Sequence, residues 1–128
     1  MKIIYNKIIP FNAFKALTIF NLVFVKKGQE LTQIDLQHEK IHCWQQYECM
    51  FAMLAALGAI KLFFHVPSLC ALLTPLTFFI IYIINLLVNI ASRAERPYRD
   101  ILFEKEAYLN QENFTYLKSR KIFAWIKR

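Results

Sequence analysis

His38-Glu39-Lys40-Ile41-His42 lies in a run starting at Leu31-Thr32-Gln33-Ile34-Asp35 that neither proline nor glycine interrupts before Gly58. The run reads as a helix from its first residues. Thr32 offers an oxygen for an N-cap, Asp35 sets a carboxylate three positions on, and Gly28 breaks what precedes them. On a helix, residues four apart share a face, so the imidazoles of His38 and His42 can point at one metal ion. Glu39 lies beside them, where a carboxylate can take a proton from water at that ion. An isolated histidine here would be an ordinary polar residue. The full H-E-x-x-H on a capped helix reads as two zinc ligands and a general base.

Composition sets the surroundings of that helix. The chain has 128 residues, 57% of them apolar, with 12 Phe and 2 Gly. That length suits one domain, and a water-soluble domain of this size has too little interior for so much apolar surface. No charged residue occurs from Leu69 to Ala91, a stretch long enough to cross a bilayer. Its polar content is Thr74, Thr77, Tyr82, Asn85 and Asn89, and Pro75 near one end is tolerable in a membrane helix. The preceding stretch, 49–64, is apolar except for Lys61, whose aliphatic stem can carry its ammonium to the interface. Extended to Pro67 it gives roughly 28 Å of helix. With Phe64-His65-Val66-Pro67-Ser68 as a turn, the two stretches form a transmembrane helical hairpin.

Charge orients the hairpin. Residues 1–46 hold six Lys and three acids, and 92–128 hold nine Lys or Arg and five acids. Between them stand only Lys61, His65 and one acid, Glu48. Both basic flanks are therefore expected on the cytoplasmic side, and anionic headgroups account for the net charge of +7. Arg93, Arg96 and Arg99 suit a helix end anchored in headgroups, and 118–128 suits a basic amphipathic tail. No basic stripe with interleaved aromatics is present, so nucleic acid is not an expected partner. Met1 to Tyr5 is broken at once by Asn6 and Lys7, unlike a secretory signal. Cys43, Cys49 and Cys70 form no C-x-x-C and read as small apolar filler.

Residues 1–27 are rich in β-branched and aromatic side chains. They read as a β-hairpin, with strands near 2–9 and 16–26 and turn or bulge points at Pro10-Phe11-Asn12 and Phe20-Asn21. A strand beside the H-E-x-x-H helix can receive an extended peptide as a further strand, or serve only as a structural hairpin.

Two histidines need a third protein ligand. The candidates are Glu48, His65, Glu95, Asp100, Glu104, Glu106 and Glu112. Glu48, six residues past His42, points elsewhere on the helix, and His65 belongs to the far turn. The acids after Ala91 return to the side of the histidines. Among them Phe103-Glu104-Lys105-Glu106-Ala107-Tyr108 stands out, opening a helix expected over 102–117.

The order H-E-x-x-H, apolar hairpin, E-x-x-A resembles the gluzincin metallopeptidases, particularly the integral-membrane CAAX-prenyl-protease and HtpX type. The chain is more similar still to small bacterial membrane proteins that combine H-E-x-I-H with F-E-x-E-A-Y. The resemblance implies that Glu104 is the third zinc ligand and that the protein sits in a bacterial inner membrane. It also marks a departure. Where the peptidases have an aspartate that orients a ligand histidine, this chain has Tyr108, leaving that role to Tyr108, Glu106 or Asn110.

The expected architecture is a mainly α, membrane-embedded single domain. It comprises a β-hairpin over 1–27, an H-E-x-x-H helix running into a first span over 32–66, a second span over 69–91, and a cytoplasmic helix with basic tail over 92–128. The expected activity is peptide-bond hydrolysis near the cytoplasmic face. Zn(2+) is held by His38, His42 and Glu104, Glu39 moves the proton, and the partners are membrane lipid and a peptide or membrane-protein substrate. The rival reading is a non-catalytic membrane protein that binds metal or a partner through the same residues.

Overall fold

The structure, a computed structural model, describes residues 1–9 and 14–127. The turn expected at Pro10-Phe11-Asn12 and the terminal Arg128 lie outside the described residues. The fold is mostly helical with a small three-stranded sheet.

The helix α1, Gln33–Lys61, is continuous over 29 residues. Its start is the expected capping box. The Asp35 amide donates to Thr32 Oγ1 at 3.1 Å, and the Thr32 amide donates to Asp35 Oδ2 at 2.8 Å. Such a cap contributes about 1 kcal/mol. Ile41, His42, Gln45, Gln46 and Cys49 are buried, whereas 51–61 are almost entirely exposed. The helix stops at Lys61, short of the expected boundary at 66. Residues 62–67 form an exposed tip where Leu62 and Phe63 are 82% and 81% exposed. Lys61 Nζ bonds Ser68 Oγ across this tip at 2.7 Å.

The chain returns through a 3-10 segment, Ser68–Leu76, and then α2, Thr77–Ala91. One uniform helix was expected here, and Pro75 accounts for the difference. Proline has no N–H to give the Ala71 carbonyl, and the tighter helix accommodates its ring. The Thr74 hydroxyl donates to that carbonyl instead, at 2.8 Å. By length and composition, Ser68–Ala91 can cross a membrane, and it is the one such stretch among the described residues.

The helix α2 is polar inward and apolar outward. Tyr82 reaches Glu104, Asn85 Oδ1 accepts the Leu102 amide at 2.9 Å, and Asn89 donates to the Pro97 carbonyl at 2.9 Å. Ile80, Ile83, Ile84, Leu87, Val88 and Ile90 are exposed. Asn85 thereby satisfies an otherwise orphaned amide at the start of α3, Leu102–Asn110. This helix is shorter than the expected 102–117. The chain turns through 111–115, where Asn113 accepts from the Thr115 amide at 3.1 Å, and α4, Tyr116–Ser119, is a separate turn.

The N-terminal sheet corrects the expected hairpin of two long strands. Its strands are β1 Lys2–Asn6, β2 Ala16–Ile19 and β3 Leu22–Lys26, in the order β1-β3-β2. The run 16–26 is not one strand. It folds at Phe20-Asn21 into an antiparallel pair, with Phe20 at φ 50, and β1 pairs parallel to β3. Gln46 on α1 pins that turn, accepting the Phe20 amide at 2.6 Å and donating to the Thr18 carbonyl at 2.8 Å. The edge strand β2 is thereby fixed along α1. The main apolar core joins Cys49, Phe78, Ile101, Phe103 and Trp125.

Candidate metal centre

Helix periodicity brings His38 and His42 to one face, and the return of α3 along α1 brings Glu104 to meet them. The two Nε2 atoms stand 3.0 Å apart. His38 Nε2 lies 3.3 Å from Glu104 Oε2, and His42 Nε2 lies 3.3 Å from Oε1. These three side chains can hold a metal ion.

The outer ring nitrogens of both histidines face glutamine amides. His42 Nδ1 lies 2.8 Å from Gln45 Oε1, and His38 Nδ1 lies 3.1 Å from Gln111 Oε1. An amide oxygen only accepts, so a ring nitrogen that faces one carries a proton. For His42 the orientation of the amide is fixed, because Gln45 Nε2 is committed to the Phe103 carbonyl at 3.1 Å and to Glu106 Oε2 at 3.0 Å. Glu104 Oε1 accepts from the hydroxyls of Tyr82 at 2.7 Å and Tyr98 at 2.9 Å. Glu104 Oε2 is buried and accepts no hydrogen bond. Two imidazole Nε2 atoms and an orphaned carboxylate oxygen thus converge, an arrangement that favours a positive charge among them.

A proton on His42 supplies that charge when no metal does. Burial alone would depress the His42 pKa, but the Glu104 carboxylate more than offsets it and raises the group to about 9. Burial likewise opposes ionisation of Glu104, and His42 and His38 together hold it well below the usual carboxylate range. Burial, reinforced by the facing Glu104 charge, pushes the Tyr98 hydroxyl up, so it remains a donor. The residues fit a divalent cation: two imidazoles and one carboxylate are the donor set of many zinc sites.

Glu39 is buried at the edge of the cluster and lines a pocket of about 210 Å³ with His38, His42 and Glu104. Ala16, Leu17 and Thr18 of β2 form one wall of this pocket, and Phe78 and Phe79 of α2 another. A second pocket of about 550 Å³, with Lys15, Asp35, Tyr108 and Gln111, also meets Glu39. Phe14 and Tyr98, with ring centroids 5.5 Å apart, line both.

The other candidates are placed elsewhere. Glu106 is fully buried but faces Gln45, Tyr116 and Arg120 rather than the cluster. Tyr108 meets His38 with its ring, centroids 4.8 Å apart, and lies under the Arg99 guanidinium. Asn110 donates to the Glu106 carbonyl of its own helix. Glu48 binds Arg120, Asp100 lies 3.9 Å from Lys105, and Glu95, Glu112 and His65 are exposed. The groups that orient the ligands are Gln45, Gln111, Tyr82 and Tyr98, none of which the sequence reading named for that role. Gln45 had a signal, since it stands three residues past His42 on the same helix. Tyr82 had one as a polar residue in an apolar span. Gln111 and Tyr98 had none.

No family model, no curated protein and no solved structure matches this chain. The site is therefore read from its own geometry.

Proposed function

We propose that the protein is a zinc-dependent membrane peptidase acting near the cytoplasmic face of a bacterial inner membrane. The observation that carries the reading is the convergence of His38 Nε2, His42 Nε2 and the unpartnered Glu104 Oε2 beside Glu39, in a pocket walled by an edge strand. His38, His42 and Glu104 would hold the ion. When bound, zinc supplies Lewis acidity, which activates water and polarises a peptide carbonyl. Glu39 takes the proton from the attacking water and delivers it to the leaving amine. Tyr82 and Tyr98 hold Glu104 through Oε1, leaving Oε2 to the ion. The edge strand β2, whose Thr18 carbonyl Gln46 already holds, would offer its remaining outer backbone groups to an extended substrate beside Glu39.

The exposed apolar surface supports the membrane part. Contiguous apolar patches of this extent are rare on soluble monomers. Here one covers the end of α1, the tip and the outer face of α2, while the polar residues of α2 face inward. The nine residues of the 3-10 segment rise about 2.0 Å each and the fifteen of α2 about 1.5 Å each, giving about 40 Å. The hydrocarbon core is about 30 Å thick. With the tip at the far interface, hydrocarbon ends about 10 Å before Ala91. Tyr82, about 13 Å before Ala91, then lies near that boundary, where both water and a membrane-borne peptide can reach the site.

Metal content of the detergent-purified chain tests the reading. Wild-type protein should carry close to one zinc per chain, and His38→Ala should lose it. Wild-type protein that remains metal-free after zinc reconstitution would overturn the proposal. Zinc bound without hydrolysis of any membrane peptide offered would leave the non-catalytic binder as the better reading.

A further inference from the structure

Behind the metal-facing ring of His42 runs a chain of buried polar groups that ends in the C-terminal segment. Gln45, fully buried, accepts from His42 Nδ1–H and donates to Glu106 Oε2. Glu106, also fully buried, receives the Tyr116 hydroxyl at 2.8 Å, Arg120 Nε at 2.6 Å and Arg120 Nη2 at 3.1 Å. The Arg120 side chain is 4% exposed and forks onto both oxygens of Glu48. Glu48 in turn accepts the Phe123 amide and the Trp125 indole N–H, each at 3.1 Å. One guanidinium therefore stands between two buried carboxylates and donates to both.

The consequence for His42 follows from the symmetry of an amide. A glutamine amide fills nearly the same volume in either orientation, so hydrogen bonds alone decide which end faces a neighbour. The Phe103 carbonyl and Glu106 Oε2 both accept from Gln45 Nε2, at 3.1 and 3.0 Å, so the NH2 end of Gln45 faces them. The oxygen end is then turned to His42. Without the carboxylate that Arg120 holds in place, the Phe103 carbonyl alone would oppose a turn-over of Gln45. After such a turn its NH2 would face Nδ1, and the ring proton would move to Nε2, where it blocks the ligand atom.

We propose that Arg120 and Glu106 are positioning residues for the metal centre: acting through Gln45, they hold His42 with its proton on Nδ1 and its Nε2 lone pair toward the ion. The inference rests on the metal reading above. It assigns the C-terminal segment a part in ligand orientation rather than in membrane contact alone.

Zinc affinity of the full chain in detergent, measured by chelator competition, tests it in wild type, Gln45→Met, Arg120→Lys and the double variant. Loss of an outer partner of a ligand histidine weakens metal binding about 10- to 100-fold, which is the effect expected of Gln45→Met. Arg120→Lys keeps the charge but loses the fork, and should weaken zinc about tenfold. The double variant should bind no more weakly than Gln45→Met alone, because the effect of Arg120 passes through Gln45. In zinc-loaded, 15N-histidine-labelled protein, the His42 Nδ1–H resonance should be sharp in wild type and broadened by solvent exchange in Gln45→Met. Gln45→Met that binds zinc as tightly as wild type overturns the inference. So does a double variant that shows the full loss from both changes, since Arg120 would then support the fold alone. If Arg120→Lys does not fold, as read by circular dichroism, Glu106→Gln replaces it, and unchanged affinity there overturns the inference. Wild type that takes up no zinc overturns the metal reading itself, a distinct failure.

Discussion

Zinc and a proton should compete for the same place. In the metal-free protein, His42 stays protonated up to about pH 9, against an ordinary 6.5, because Glu104 faces it. Zinc must displace that proton. Below pH 9, with Glu104 ionised throughout, apparent zinc affinity should therefore rise about tenfold per pH unit, or about 100-fold between pH 6.5 and 8.5. The same pair sets the stability of the metal-free form. A raised histidine pKa gives stability that is full below pH 6.5 and lost as pH rises through about 9. A difference of 6.5 to about 9 corresponds to about 3 kcal/mol. The lowered Glu104 pKa gives stability present above its ordinary 4.5 and lost only in strong acid. Metal-free protein should thus lose thermal stability between pH 6.5 and 9, while zinc-loaded protein should hold it. Chelator competition and thermal melts in detergent over this range measure both effects. The 15N titration of His42 checks the cause, since in Glu104→Gln only Glu39 and the Gln45 hydrogen bond are left to oppose burial and the pKa should fall. A zinc affinity that is flat from pH 6.5 to 8.5 would refute the shared-site argument, because nothing would then need displacing.

The remaining expectations concern single side chains and topology. Glu39→Gln should retain zinc and lower hydrolysis about 10²- to 10⁴-fold, read by metal analysis beside a peptide-cleavage assay. Glu104→Ala should lose zinc outright, since it removes the unpartnered oxygen. Labelling of single cysteines should find both termini cytoplasmic and 64–68 outside, and an external C-terminus would part Glu104 from the histidines. Thr32→Ala should cost about 1 kcal/mol of unfolding free energy without changing zinc content, as the capping box lies outside the site.

Features legible in the sequence were those with a local signature. The α1 start was readable because a capping box needs only Thr32 and Asp35, and the ligand face because His38 and His42 differ by one helical turn. The charge-free run 69–91 was readable as one long apolar stretch. Some local patterns understate what the structure does. Phe20-Asn21 splits 16–26 into two strands rather than bending one. Pro75 shifts the segment before α2 to 3-10. The chain at Asn113 turns away from the path of α3. The parallel pairing of β1 with β3, the Glu104 hydroxyl donors and the Gln45-Glu106-Arg120 chain join residues far apart in sequence. Such contacts follow from packing, and no period or spacing encodes them.

The inward polarity of α2 bears on whether the H-E-x-x-H pattern is accidental. An accidental pattern asks nothing of the helices around it, and its histidines would take whatever donors or water lie near. Here two elements are shaped toward the cluster. Tyr82 from α2 and Tyr98 from the following loop both donate to Glu104 Oε1, and neither donates to Oε2. Two glutamines meet the outer nitrogens of the imidazoles, and Gln45, fixed by Phe103 and Glu106, sets the proton of His42 on Nδ1. In the metal-free protein the protonated His42 Nε2 has both His38 Nε2 at 3.0 Å and the Glu104 carboxylate as acceptors. A divalent cation held by the same three side chains would take the place of that proton. The same hydroxyls and asparagines that make α2 polar on one side also tie 94–104 to it. The apolar segment and the His38-His42-Glu104 cluster are therefore joined, and a change at Tyr82 acts on both.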